Sequence, residues 1–597
     1  MRLLPVQNGY GNQICLPLRV GNQIGPTARV FRSCDPLQSY SYRLKEHKIG
    51  AMPEKAKIYT DLFEQVIQMK RNEIGRIRSG VTVAIFILCC VPAKLGAQVV
   101  RFDPARMPRI GRVDDRFQSY NIEMVEIVGG RFWKPYSTTS ENRSEPQLAA
   151  ESTPTGMDPT LYRYRPPIDL SKSRLRKLAT ALGPAYVRVS GTWANSVYFH
   201  NSDGPPPAKA PAGFNSFLTR RQWKGVIDFS HAVNAEIVTS FATSPGTRGR
   251  TGVWTPNQAR EWLAYTKSVG GRIAAAEFMN EPTYAAMGGA PPGYDAAAYG
   301  RDIAVFRPFI KKTAPEMLFL GPGSVAEGPF AMAMGSVLKT EDLLKETGPV
   351  FDVFSYHLYA AASKRCASMG SGLQTTAESA LSQEWLSRPA KIHGFYAGLR
   401  DQFEPGKSLW ITETADAACG GNPWASTFLD SFRYLDQLGL LAKLGVRVIM
   451  HNTLAASDYG LLDENTFEPR PNYWAALLWR RLMGATVLDP GPSSAPAFHI
   501  YAHCLRGQSR GVALLFINTG RSEAQTVGLT TEAERYELTA GKLLDRRVRL
   551  NGSELKLGDG DAVPQLRGTP VSPGKVTFAP ASISFITIPK ANNMSCP

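Results

Sequence analysis

Two short apolar runs in this sequence end on glutamate. "IAAAEFM" (273–279) leads into Asn280-Glu281-Pro282, and "LWIT" (409–412) leads into Glu413, within "LWITETADAACGGN". The first run is bounded upstream by Gly270-Gly271 and downstream by Pro282, which reads as a buried strand ending in a turn. Asn-Glu-Pro taken alone is equally a solvated loop. Two carboxyls brought to one cleft are more specific. At about 5–5.5 Å apart, one protonates a leaving glycosidic oxygen while the other attacks the anomeric carbon, the retaining route of glycoside hydrolysis. That chemistry asks for a raised pKa on the acid and an ionised nucleophile. Asn280, next to Glu281, is placed to hydrogen-bond a sugar hydroxyl.

Positioning such a pair is the task of the surrounding elements. From about residue 117 the chain alternates apolar runs with amphipathic ones. The strand candidates are "FQSYNIEM" (117–124), "AYVRVSG" (185–191), "AEIVTSFA" (235–242), "IAAAEFM" (273–279), "MLFLGPG" (317–323), "FDVFSYH" (351–357), "LWITET" (409–414) and "VRVIMHN" (446–452). Segments such as "SRLRKLATALG", "NQAREWLAYTKSVG" and "SFRYLDQLGLLAKLG" separate or follow them with helical spacing. Eight such pairs predict a (β/α)8 TIM barrel, whose working residues sit at the C-terminal strand ends. Those ends carry Asn280 and Glu281 (strand four), His357 and Tyr359 (six), Glu413 (seven), and His451, Asn452 and Tyr459 (eight). The polar, Pro-rich stretches 137–168 and 201–216 fall where a barrel places substrate loops, although surface excursions read the same way.

The predicted catalytic barrel covers residues 98–484. Beyond it, 485–597 breaks into strands such as "GVALLFINTG" and "ASISFITIP" between Gly, Asn and Pro turns, the pattern of an all-β sandwich. Residues 98–115 are open to either unit.

The chain has 597 residues and a formal charge of +17. "MKRNEIGRIRSGVTVAIFILCCVPAKLGAQ", starting at Met69, has a basic n-region, an apolar h-region and small residues before Gln98, which predicts a signal peptide at 69–97 and a secreted, periplasmic or extracellular product. Residues 1–68 then read as a non-native extension of the reading frame; a long leader or a membrane anchor is the alternative. Residues 1–97 hold 14 Lys/Arg against 6 Asp/Glu, so the remainder carries +9. That favours acidic substrates over a distance. No Lys/Arg run of the nucleic-acid type occurs there, and no stable membrane insertion is expected once the leader is cut. The four remaining cysteines, Cys366, Cys419, Cys504 and Cys596, permit disulfides in an exported protein. No spacing suggests a metal site, and no cofactor is implied.

Several segments resemble heparanase and its relatives in glycoside hydrolase family 79. They include "AEFMNEPTY", "LWITETADAACGG", "YGLLDENTFEPRPNYWAALLWRRLMGATVL", "LGPAYVRVSGTWANSVYF" and "FDVFSYHLY". The likeness spans about residues 117–596. It implies that Glu281 is the acid/base, Glu413 the nucleophile and Asn280 the Asn beside the acid. It further implies that His357 and Tyr359 frame the nucleophile, that Thr192 and Glu123 touch the sugar, and that Tyr459 lies near the uronic carboxylate. Gly420 and Gly421 correspond to part of a glycine loop contacting substrate, and Cys504–Cys596 to a disulfide. The implied substrate is a glucuronic-acid-containing oligo- or polysaccharide.

The departures bear on that reading. Ser457-Asp458-Tyr459 stands where the family has Gly-Asn-Tyr, and Asp458 would repel a uronate unless it turns away or binds a hydroxyl. Cys419 replaces a glycine; it and Cys366 either pair near the cleft or stay free thiols. A same-clan glycosidase acting on a neutral sugar, or a silent polysaccharide-binding protein, are the competing readings. Glu277, at even spacing from Glu281, reads as a barrel-interior carboxylate held by an arginine, with Arg188 the plausible partner. Trp193 and Trp424 could stack on sugars or simply pack, and Glu464 reads as structural.

Overall fold

The computed structural model describes residues 100–136, 153–331, 337–369 and 373–597. The signal-peptide reading, the extension before it and residues 137–152 therefore lie outside the described residues. Eight parallel strands close into a barrel. In order they are Gln118–Glu123, Ala185–Ser190, Ala235–Ser240, Ile273–Glu277, Leu318–Ser324, Val353–Leu358, Leu409–Thr414 and Val446–His451. The helices follow from amphipathic runs. In Ser173–Leu182 it is Leu175, Leu178, Ala179 and Leu182 that are buried, the three-and-four spacing of one helix face. Arg220–Ala232, Thr340–Thr347 and Gln383–Phe403 add helices that the segments quoted above do not include.

The barrel interior is layered because strand residues alternate between faces. Val238, Ala275, Leu320, Val353, Trp410 and Val448 fill an apolar layer. Two residues further along their strands stand Glu277, Ser355 and Thr412, beside Arg188, so the layer above is polar. Catalytic-type side chains crown that layer.

One strand departs from simple alternation. Pairing of the seventh strand with the eighth shifts register between Ile411 and Thr414, and its pairing with the sixth shifts at Glu413. Thr412 bonds the interior Glu277 while its neighbour Glu413 bonds the interior Arg188. An irregularity of this kind re-aims a side chain. It turns Glu413 into the barrel mouth.

The C-terminal region builds a large sheet that includes Met483–Leu488, Phe498–Leu505, Val512–Asn518, Ala533–Thr539 and Ser582–Ile588. Arg109–Arg112 pairs antiparallel with Met483–Leu488, and Val100–Phe102 pairs with Gln525–Leu529 in a second, three-stranded sheet. The chain thus contributes two strands to this region before it enters the barrel. Cys504 and Cys596 form a disulfide that ties the last residues to the sheet. Barrel and sheet meet where Tyr501 donates to Asp436 at 2.6 Å and its ring lies against Gly439, where a Cβ would stand 2.3 Å from the ring.

Candidate active site

Arg188, fully buried on the second strand, is the hub of the barrel mouth. Its Nη2 donates to Glu277 (2.9 Å), to Asn280 Oδ1 (2.7 Å) and to His357 Nε2 (3.2 Å), while Nη1 donates to Glu413 Oε2 at 2.9 Å. Burial works against its charge, but the carboxylates of Glu277, Glu413 and Glu123 more than offset this and keep it a cation. Burial would also raise the Glu277 carboxyl. Arg188, His357 and the hydroxyls of Thr412 and Ser355 instead hold it below the usual range. Glu277 is therefore the counter-charge of Arg188 and has no place on the cavity wall.

The geometry fixes a tautomer. A guanidinium has only hydrogens to offer, so His357 Nε2 accepts from Arg188 and the ring proton sits on Nδ1. Nδ1 then donates to Glu281 Oε1 at 3.0 Å. One oxygen of Glu281, one of Glu413 and a ring nitrogen of His357 all lie within 4.8 Å of one another. Among the described residues this is the one grouping of His, Cys, Asp and Glu close enough to share a cation. With Nδ1 protonated toward Glu281, that nitrogen has no lone pair for a metal.

Glu281 sits in the left-handed region at φ 48°, immediately before Pro282. Such a backbone costs of order 1–3 kcal/mol for a non-glycine residue. A clamp holds it: Asn195 Oδ1 accepts from the Asn280 N–H (2.8 Å), and Asn195 Nδ2 donates to the Asn280 carbonyl (2.9 Å). Burial, with Glu413 nearby, raises the Glu281 carboxyl despite the His357 hydrogen bond. Glu413 is aimed by three donors, Arg188, the Tyr359 hydroxyl (2.6 Å) and Asn452 Nδ2 (3.3 Å). Asn452 also donates to the Tyr459 hydroxyl at 3.2 Å.

Of the residues singled out in the sequence, Glu123, Thr192, Glu281, Tyr359, Glu413 and Tyr459 line the cavity together. Asn280 and His357 are buried and shape the site from below. Gly420 and Gly421 also stand off the wall, and Trp133 packs against Gly420 so closely that a Cβ there would lie 2.6 Å from its own. Trp193 is on the wall, whereas Trp424 and residues 201–216 are not. Glu123 depends on Gly191, whose absent Cβ would fall 1.5 Å from Glu123 Oε2. Burial, with the Glu413 charge, pushes the Glu123 carboxyl well up against the opposing pull of Arg188.

Asp458 turns away from the cavity. Arg365 pairs with it at 2.5 Å, and the Tyr136 N–H donates to the same oxygen at 3.2 Å. Asn195, Trp133, Met157 and Tyr162 are site residues that the sequence reading passed over. "GRFW" directly after the first strand was the available signal for Trp133, but nothing local marks Asn195.

Cys366 and Cys419 form a disulfide that joins the loops after strands six and seven, with Cys419 on the cavity wall. They are 53 residues apart, so loop closure alone is worth about 4 kcal/mol in the chain-entropy account. Replacing both by serine is expected to lower stability by about 2–4 kcal/mol, read by denaturant unfolding under non-reducing conditions. Equal midpoints for the two proteins would contradict this.

A parallel (β/α)8 barrel with paired carboxyls at the ends of strands four and seven defines a barrel glycosidase. Residues 167–439 match the family model "Glycosyl hydrolase family 79, N-terminal domain". The chain is 28% identical over 484 residues to heparanase-like protein 1 of Arabidopsis thaliana, covering 72% of this chain and 86% of that protein. It is 30% identical over 277 residues to baicalin-beta-D-glucuronidase of Scutellaria baicalensis, covering 44% and 50% respectively. The crystal structure of a 4-O-alpha-L-rhamnosyl-beta-D-glucuronidase from Fusarium oxysporum shares the fold, with a TM-score of 0.54 at 13% identity over 82% of this chain and all of that one. By these matches residues 167–439 resemble the family 79 N-terminal domain, and the chain is similar along most of its length to heparanase-like proteins, which supports a glycosidase.

Proposed function

We propose that this protein is an exported, retaining β-glucuronidase working by double displacement. The observation that carries the mechanism is the approach of one oxygen of Glu281 and one of Glu413 to within 4.8 Å, which agrees better with the retaining spacing of about 5–5.5 Å than with the inverting one of about 6.5–9.5 Å. Glu281, its carboxyl raised, gives its proton to the leaving oxygen. Glu413 attacks the anomeric carbon to form a glycosyl ester. Glu281 then takes a proton from water, which opens the ester with net retention. His357 stays out of the proton count and holds Glu281 by its Nδ1–H. Glucuronate as substrate draws support from the family and from the burial of Asp458 against Arg365, which removes the one departure that argued for repulsion. The signal-peptide pattern from Met69 and two disulfides support export. N-terminal sequencing of the exported protein tests that part, with a start far upstream of Gln98 as the contrary result.

One observation favours a second reading, a neutral sugar. Among the described residues the cavity wall carries no lysine or arginine to meet a uronate. Hydroxyl and amide donors near Tyr459 and Cys419 would then have to serve instead. Hydrolysis of 4-nitrophenyl β-glucuronide but not of the β-glucoside or β-xyloside decides for glucuronate; the reverse decides for the neutral sugar. On the hydrolysed substrate, kcat/KM is expected to fall as pH rises through the elevated Glu281 value, because the acid must be protonated to act. The Glu281→Ala variant should lack that alkaline limb.

A further inference from the structure

The segment after the first barrel strand makes more of the site than any other loop. Gly130–Trp133 and Tyr162–Arg165 form an antiparallel hairpin in which Trp133 pairs with Tyr162. The hairpin is anchored at its base, where Arg165 bonds Glu464 at 2.9 Å and the Ala455 carbonyl at 2.7 Å. From there it reaches the loops around the barrel mouth. Phe132 and Tyr162 pack on Trp193 of the second-strand loop, at ring separations of 5.3 and 6.4 Å. Further out, the Thr155 N–H donates to the Met287 carbonyl (3.2 Å) of the fourth-strand loop. Arg365, after the sixth strand, donates to the Lys134 carbonyl at 2.5 Å. Trp133 lies on Gly420 after the seventh, and Tyr136 bonds Asp458 after the eighth.

A polymer cut internally must cross the catalytic pair and leave on both sides, which requires a groove open at two ends. Here the described parts of the first-strand segment are fastened to the loops after strands two, four, six, seven and eight. The cavity at the catalytic pair measures about 80 Å³, a compact space beside the roughly 300–1,000 Å³ of ordinary ligand clefts. Trp133 stacks on Tyr162 at 4.5 Å between ring centres, and both line the cavity. Since Glu281 protonates the leaving oxygen, the chain departs on its side.

We infer that this hairpin closes the other side and makes the enzyme exo-acting: it admits a chain only by its non-reducing end and releases a single terminal residue. The inference rests on the proposed roles of Glu281 and Glu413. Trp133 and Tyr162 are its specificity-determining residues, acting by exclusion.

The test is a reducing-end-labelled oligosaccharide with one terminal and one internal β-glucuronate, alongside the same molecule capped by a further sugar on O4 of the terminal residue. Expected are release of the terminal monosaccharide, an intact internal bond, and turnover of the capped molecule slower by about 100-fold or more. Trp133→Ala should raise the capped-to-uncapped turnover ratio about tenfold, and Tyr162→Ala serves if that variant does not fold. Cleavage of the internal bond, or release of a disaccharide from the capped molecule, overturns the inference while leaving the glucuronidase reading intact. Activity on a β-glucoside with none on any β-glucuronide rejects the substrate reading instead, and exo action is then judged on the matching glucoside pair by the same criteria.

Discussion

Glu413→Ala is expected to lower turnover of an aryl β-glucuronide by roughly 10⁵-fold or more, because under the proposed double displacement it removes the atom that forms the covalent bond. Glu281→Ala should be milder, about 10²–10⁴-fold, and its loss should depend on the leaving group. A nitrophenolate departs without protonation, whereas an alcohol needs the proton, so natural linkages should lose more than the chromogenic substrate. The two variants also separate by rescue. Azide supplied to Glu413→Ala attacks the substrate directly and gives an α-glycosyl azide. Azide supplied to Glu281→Ala meets the glycosyl ester, which Glu413 still forms, and gives a β-glycosyl azide. Product stereochemistry by NMR therefore assigns each role separately. Wild-type-like turnover in Glu413→Ala, or the same anomer from both variants, would remove the double-displacement assignment.

The sequence disclosed the barrel because the period-two and helical patterns are local, and the ends of eight strands then name the mouth. Glu277 and its partner Arg188 were legible for the same reason, since even spacing along a strand puts residues on one face. Glu413 shows the limit. Alternation alone sends Thr412 and Thr414 to one face and Glu413 to the other, and only the register shift beside Ile411 brings it to Arg188. The pairing of Arg365 with Asp458 joins loops 93 residues apart, and no short-range pattern encodes it. The hairpin was harder still. Residues 137–168 read as polar and Pro-rich, while the aromatic wall comes from the cross-strand register of Trp133 with Tyr162, residues at the margins of that stretch. Asn195 follows the same logic, because a solvated-looking asparagine after strand two becomes a clamp only when strand four ends beside it.

Arg188→Leu is the second large effect, and it is one of stability as well as turnover. Glu277 and Glu413 both bond this guanidinium, Glu277 fully buried and Glu413 at the edge of the cavity. Removing one partner of a buried ion pair costs about 3–5 kcal/mol, since the remaining charge has lost its compensation but not its desolvation. The pH dependence follows from the direction of the Glu277 shift. In the native protein that carboxyl lies below its usual value, so it contributes stability above the unfolded pKa of about 4.3, lost as pH falls through the folded value. Without Arg188 the upward push of burial is opposed only by His357 and the Thr412 and Ser355 hydroxyls. The deficit of the variant should therefore be largest at pH 7 and shrink as pH falls, most fully below about pH 4, where the unfolded carboxyl and that of the folded variant are both protonated. Denaturant unfolding at the two pH values measures this directly. Arg188→Leu combined with Glu277→Leu should recover much of the loss at pH 7 without recovering turnover, because Glu413 still lacks the donor that aims it. A single variant equally destabilised at both pH values would point to lost packing rather than stranded charge, and would refute the hub assigned to Arg188.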